Sequence, residues 1–139
     1  FSLPARNLSP LRERLFDLMW DEVGILRTKT SIERGLAGLG QLRDELRSTG
    51  VADGNRNFNL TWHDWLNLDS LLRVSEAIAT AALAREDSRG AHFREDHPET
   101  GALEGSQYTR VQQDGGELRL SFAPVQFTRV QPGQSLLAE

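Results

Sequence analysis

The chain has no cysteine, which excludes disulfides, thiolate zinc sites, cysteine-ligated iron–sulfur clusters and a cysteine nucleophile, and fits a reducing compartment. It also lacks any apolar run approaching the roughly 18 residues a membrane span needs, so no direct span is expected. A strongly basic stretch is missing too. The 16 basic residues, all but Lys29 being arginine, are scattered among 20 acids for a net charge of −4, which argues against nucleic acid as a partner. There is no phosphate-cradling glycine loop, no Ser-His-Asp spacing and no nucleophile beside a general base. No catalytic, cofactor-binding or metal-ligating residue is therefore assigned within the chain. Phe1 stands where an initiator Met or signal segment would be expected, so the sequence reads as a fragment or processed product of a larger parent.

What is present is helical period. Ser9-Pro10 reads as a helix start, followed by Leu11, Leu15, Leu18 and Val23 with Phe16, Met19 and Trp20 widening the apolar face, and Gly24 as a left-handed cap. The pattern predicts a first helix over 10–23. Thr30-Ser31-Ile32-Glu33 has the form of a capping box ahead of a second helix striped by Ile32, Leu36, Leu39, Leu42 and Leu46 and ending before Gly50. Its interior Gly35, Gly38 and Gly40 predict close approach of a neighbouring helix. Residues 51–60 read as a loop. Thr61 and Asp64 frame a third helix over 62–86, with Trp65, Leu68, Leu72, Ile78 and Leu83 as its inner face, and the tryptophans Trp20, Trp62 and Trp65 are expected to seal the core.

After residue 100 the period changes to two. Tyr108–Gln113 and Glu117–Phe122 around Asp114-Gly115-Gly116 read as a β-hairpin stopped by Pro124, with Val125–Val130 as a further extended piece. The expected fold class is mainly α, an antiparallel up-down-up three-helix bundle followed by a C-terminal hairpin and extended tail. The bundle with its polar loop is assigned to 1–105, and the hairpin and tail of the same domain to 106–139. A lone hairpin is marginal in water, so its apolar face needs the bundle, a partner domain or another copy of the chain.

Between long helix and hairpin stands Asp87-Ser88-Arg89-Gly90-Ala91-His92-Phe93-Arg94-Glu95-Asp96-His97-Pro98-Glu99, a polar run without period. Ser88-Arg89-Gly90-Ala91-His92, with Asp96 and Pro98 behind it, resembles the signature that follows the last long helix in flavoprotein subunits of succinate dehydrogenase and fumarate reductase, with L-aspartate oxidase a near relative. Met19-Trp20-Asp21-Glu22-Val23-Gly24-Ile25 is similar to the family's helix ending, and Leu118–Val125 resembles its closing strand. Gln107-Tyr108-Thr109 departs from the Trp and His-Thr usual in respiratory subunits. The tail 127–133 departs as well, which favours a soluble or divergent branch.

The resemblance implies a C-terminal helical domain of an FAD enzyme that passes hydride between flavin and a dicarboxylate, with the flavin and substrate residues outside this chain. FAD would then be held by the parent protein and not by this domain. The implied partners are the flavin-binding and capping domains of the same polypeptide, and an iron–sulfur subunit. The implied location is cytoplasmic, peripheral at the inner membrane face through partner subunits. Ser88, Arg89, Gly90, His92, Arg94 and Asp96 are read as an interdomain contact surface rather than a site of chemistry, because so many charges cannot be buried unpaired in a small bundle. On that reading, truncating Arg89 barely changes the domain's own stability. Two other readings compete: a free-standing helical interaction module, and a small metal hydrolase using His63, His92 and His97.

Overall fold

The computed structural model describes residues 3–135. Three helices lead the chain: α1 (Ser9–Val23), α2 (Lys29–Arg47) and α3 (Leu60–Ala84). Two-residue strands β1 (Leu26–Arg27) and β2 (Phe93–Arg94) pair in parallel, and β3 (Gln107–Asp114) with β4 (Glu117–Pro124) makes an antiparallel hairpin. The expected mainly α class with a C-terminal hairpin is observed. Residues 125–130 add no strand, although the Val125 amide continues the ladder by one bond to the Ser106 carbonyl.

Helix ends differ from the expectation in instructive ways. Ser9 is the first helical residue rather than the cap, and its amide donates to the Asn7 side chain. Gly24 has φ −70° and is not left-handed; glycine is required there because a Cβ would run into the Trp20 carbonyl oxygen. The capping box sits two residues early, with Thr28 and Ser31 satisfying each other's amides at 3.0 and 3.1 Å. Asn59, not Thr61 or Asp64, caps α3, accepting from the Trp62 amide at 2.8 Å while its Nδ2 ties down the preceding loop through the Asp53 and Asn55 carbonyls.

The core is the shared interior of the three helices. Leu11, Leu15 and Val23 from α1, Ile32, Leu39, Leu42 and Leu46 from α2, and Leu68, Leu72, Ala79 and Ala82 from α3 are buried together. α2 is the central element, packing against both others far more than α1 and α3 pack on each other. Gly35 and Gly38 explain how α1 comes so close: a Cβ would stand 2.8 Å from Val23 Cγ2 at the first and 2.7 Å from Leu18 Cδ2 at the second. Gly40 faces open space, so the close-approach reading does not extend to it.

Two assignments of the inner face need correction. Ile78 is 46% exposed, whereas Leu72 is 2% exposed. Trp20 is exposed and Trp62 half-exposed; only Trp65 serves the core, its indole N–H donating to the Leu46 and Thr49 carbonyls at the end of α2.

Candidate functional site

The polar run 87–99 folds back as a tight loop against the ends of all three helices. Arg89 and His92 exchange both backbone hydrogen bonds, 2.8 and 2.9 Å, across a two-residue turn whose first central position, Gly90, has φ +55°. A side chain there would be strained, which explains glycine at that position. Ser88 is buried. Its Oγ accepts from the Arg94 amide at 2.9 Å and donates to the His97 carbonyl at 2.8 Å, so the hydroxyl pins both legs of the loop.

The turn launches β2 alongside β1, with Leu26 opposite Phe93 and Arg27 opposite Arg94. Successive residues of a strand face opposite sides, so Leu26 and Phe93 share the exposed face while the two arginines turn toward the helices. Arg94 is 1% exposed. One nitrogen, Nη1, donates to the Ala82, Leu83 and Arg85 carbonyls at 3.2, 3.1 and 3.0 Å, the groups left over at the C-terminal end of α3. The other two grip Asp96 as a fork, Nε to Oδ1 at 2.7 Å and Nη2 to Oδ2 at 2.8 Å. Asp96 in turn accepts from the Lys29 amide, the first of α2, at 2.8 Å.

This pair joins two helix ends of opposite polarity. The cation sits on the negative end of α3 and the anion on the positive end of α2, so each charge meets a helix dipole as well as its partner. The Arg94 fork holds the Asp96 carboxyl well below the usual carboxylate range; burial opposes this, and the Lys29 amide adds to it. Asp96 reciprocally raises the Arg94 pKa.

Arg27 closes α1 in the same manner. Its Nε donates to the Gly24 carbonyl at 2.7 Å and the Val23 carbonyl at 3.2 Å, and Nη1 donates to His92 Nδ1 at 2.9 Å. A guanidinium can only donate, so Nδ1 carries no proton and the neutral ring is the Nε2–H tautomer. Nε2 is buried without a hydrogen-bond partner. Burial first, and then the charges of Arg27 and Arg85, push the His92 pKa below its ordinary value against the opposing pull of the Arg85 carbonyl and Asp87.

The hairpin is attached by a third cluster. Asp87 is shared by Arg85 and Arg89, 3.2 and 2.6 Å, and burial, which would raise its pKa, is outweighed by the two guanidiniums. Arg85 reaches the Gln107 carbonyl and Thr109 hydroxyl of β3. Arg89 donates to the Thr100 and Ala102 carbonyls and to Ser106 Oγ, fixing the connection to the hairpin. Its donors are thus engaged within the domain, and the expectation that truncating Arg89 leaves the domain's stability nearly unchanged is revised accordingly.

All six residues of the expected contact segment, Ser88, Arg89, Gly90, His92, Arg94 and Asp96, therefore lie in one loop, with Ser88 and Arg94 buried and the others partly or largely exposed. Arg27, Arg85 and the Lys29 amide were not singled out from the sequence. An arginine just past a helix end is the signal that could have found Arg27. His63 lies in the first turn of α3, at the opposite end of that helix from His92 and His97. Among the described residues no three metal-ligating side chains converge.

The titrating groups of the loop predict an acid-side stability profile. His92 is held neutral in the folded chain, so below about pH 6.5, the ordinary imidazole value, the unfolded chain takes up the proton first and stability falls. Asp96 and Asp87 have depressed folded values, so their contribution is complete above about pH 4 and is lost as pH falls through the folded pKa. Urea unfolding between neutral pH and about pH 3 should show a decline in both ranges, and His92→Gln should remove the upper one only. A wild-type profile flat from about pH 7 to about pH 5 would contradict the His92 assignment.

Residues 12–136 match the family described as fumarate reductase flavoprotein C-term. The chain is 32% identical over 121 residues to a succinate dehydrogenase flavoprotein subunit of Coxiella burnetii, covering 87% of this chain and 20% of that protein. It is 32% identical over 131 residues to a fumarate reductase flavoprotein subunit of Mycobacterium tuberculosis, 94% of this chain and 22% of the relative. Among solved structures, an E. coli quinol fumarate reductase superposes with a TM-score of 0.86 at 27% identity, covering 95% of this chain and 23% of its own. The chain thus spans about a fifth of the length of the curated relatives it matches. The matched span, these identities and the shared fold lead to one assignment for the chain whose loop 87–99 clasps the helix ends: it belongs to the C-terminal domain family of succinate dehydrogenase and fumarate reductase flavoproteins.

Proposed function

We propose that this chain is the helical buttress of an FAD-dependent oxidoreductase that moves hydride between flavin and a dicarboxylate of the succinate and fumarate class. The flavin-binding and capping domains of the same polypeptide carry the chemistry, and this domain fixes their relative position and offers surface to an iron–sulfur subunit. The observation that supports this best is the state of the clasp loop. Asp87, Arg89, Arg94 and Asp96 are all held by hydrogen bonds within the chain, so the loop presents a rigid surface and not a free acid, base or anion receptor. The three helices run up-down-up, and 1–105 together with the hairpin and tail 106–139 act as one unit, joined by Arg85 and Arg89. A parent of this kind works in the cytoplasm, peripheral to the membrane through its partner subunits.

In this reading Ser88, Arg94 and Gly90 shape the loop, while Arg89, His92 and Asp96 lie where a neighbouring domain contacts it. Arg89→Ala in the 139-residue chain is expected to lower stability by about 1.5–3 kcal/mol, the range for hydrogen bonds to a charged group. In the full-length protein the same substitution should lower flavin content and dicarboxylate turnover together. A full-length variant with wild-type flavin content and rate would contradict the docking role of the loop.

A further inference from the structure

A cavity of about 470 Å³ separates the tip of the hairpin from α2 and α3. Arg43 and Arg47, one turn apart on α2, and Arg73 and Glu76 of α3 form its helix walls, and Gln113 and Glu117 face them from the hairpin. The hairpin is tied to the bundle at its base, where Arg85 reaches the Gln107 carbonyl and the Thr109 hydroxyl. Its tip is not. Among the described residues nothing from 110 to 118 hydrogen-bonds to a helix, and the Arg119–Asp114 ion pair stays within the hairpin.

The arginines of this cavity differ from those of the clasp. A guanidinium is always charged and carries five N–H donors. In the clasp every side-chain nitrogen of Arg89 and Arg94 meets an acceptor. Here Arg43 uses Nη1 for Glu76 at 2.6 Å while its buried Nε has no partner. Arg73 uses only Nε, for Asp69 at 2.8 Å. Arg47, exposed in the last turn of α2, makes no hydrogen bond or ion pair among the described residues. Three cations thus line one cavity against two carboxylates, Glu76 and Glu117, in a chain whose net charge is −4. Glu76 is already engaged by Arg43, and Glu117 lies beyond ion-pair range of all three.

We propose that this cavity binds a small polyanion, a free molecule bearing two or more carboxylate or phosphate groups, which fastens the hairpin tip to α2 and α3. Planar guanidinium forks pair in parallel with the oxygens of either group. Arg47 and Arg73 stand on different helices with their Nη donors unengaged, so a ligand with an anionic group for each is bound better than a monovalent ion. The Gln113 side-chain amide supplies a neutral donor from the hairpin wall. The volume is that of a small-molecule site. Binding there requires nothing of the flavin chemistry proposed above.

Phenylglyoxal modification of the full-length protein, read residue by residue by mass spectrometry, tests the site, because arginines are compared within one sample. Arg110, exposed on β3, serves as the reference. Citrate and pyrophosphate are the probes, one for each chemistry, and sodium chloride at equal ionic strength measures screening. Near saturation a probe that binds is expected to slow modification of Arg47 and Arg73 about tenfold relative to Arg110. Protection by one probe alone fixes which group the site takes, and protection by both makes charge the shared requirement. Arg47→Gln removes a side chain that bonds to nothing else in the described chain, so the fold is kept, and it should raise the probe concentration that half-protects Arg73 about tenfold. Equal slowing by sodium chloride would overturn the site in favour of screening alone. Unchanged rates with both probes would overturn it, as would half-protection of Arg73 that ignores Arg47→Gln. Arg47 and Arg73 unreactive before any probe is added would overturn it in favour of a protein segment covering the cavity.

Discussion

Arg94→Ala is expected to lower the stability of the chain by about 2–4 kcal/mol, the combined cost of buried acceptors left without a donor and of a truncated buried side chain. The substitution does more than delete a charge. It strips the Ala82, Leu83 and Arg85 carbonyls of their shared donor, leaves Asp96 facing the first amide of α2 alone, and opens space where a fully buried side chain stood. Lysine should restore little, because a point-like ammonium cannot serve three carbonyls and both oxygens of one carboxylate at once. Asp96→Asn is expected to fall between wild type and Arg94→Ala, since the amide keeps an acceptor for the Lys29 amide but loses the charge. Denaturant midpoints of the three variants give the order directly. An Arg94→Ala midpoint equal to wild type would show that the clasp contributes nothing to folding.

The second large effect lies in the core. Leu72→Ala should lower stability by about 2–5 kcal/mol through lost transfer energy and the cavity left behind. Ile78→Ala should lower it by much less, because nearly half of that side chain already meets water. The contrast is informative, since the two residues have similar volume and lie on the same helix. Equal losses would place both in the core and contradict the helix phase described above.

That phase was only partly legible in the sequence. The α2 stripe is unambiguous because only small or polar residues separate Ile32, Leu36, Leu39, Leu42 and Leu46, and Ile32, Leu39, Leu42 and Leu46 are buried. On α3 the inner face was misassigned at Ile78 because Leu71, Val74 and Ile78 are as apolar as Leu68 and Leu72, so periodicity carries little phase. The face that packs is set instead by small residues, Ser75, Ala79 and Ala82, which let neighbouring helices approach. A one-sided count of large residues overlooks them.

The clasp was legible as a motif but not as a mechanism. The density of charge in 87–99 reads as a solvated surface, and for Arg94 that expectation fails. A buried arginine is tolerable only where acceptors converge, and the acceptors here are backbone carbonyls of α3 that no side-chain pattern announces. The Arg94-x-Asp96 spacing hints at a forked pair, yet the same spacing is common on surfaces. The capping box shows the related ambiguity. Thr30 and Glu33 fit the familiar form, but Thr28 and Ser31 achieve the same reciprocity with two hydroxyls, and the first strand ending at Arg27 fixes the helix start next to them.

The central claim is that this domain supports a flavoenzyme without holding the flavin. The most direct measurement is the visible absorbance spectrum of the purified 139-residue chain after incubation with FAD and removal of unbound cofactor. A colourless protein with no flavin band is expected, because the arginines of the clasp are engaged by its own groups and the starts of α2 and α3 are already capped by Thr28 and Asn59. A yellow protein that releases FAD on denaturation would contradict the account.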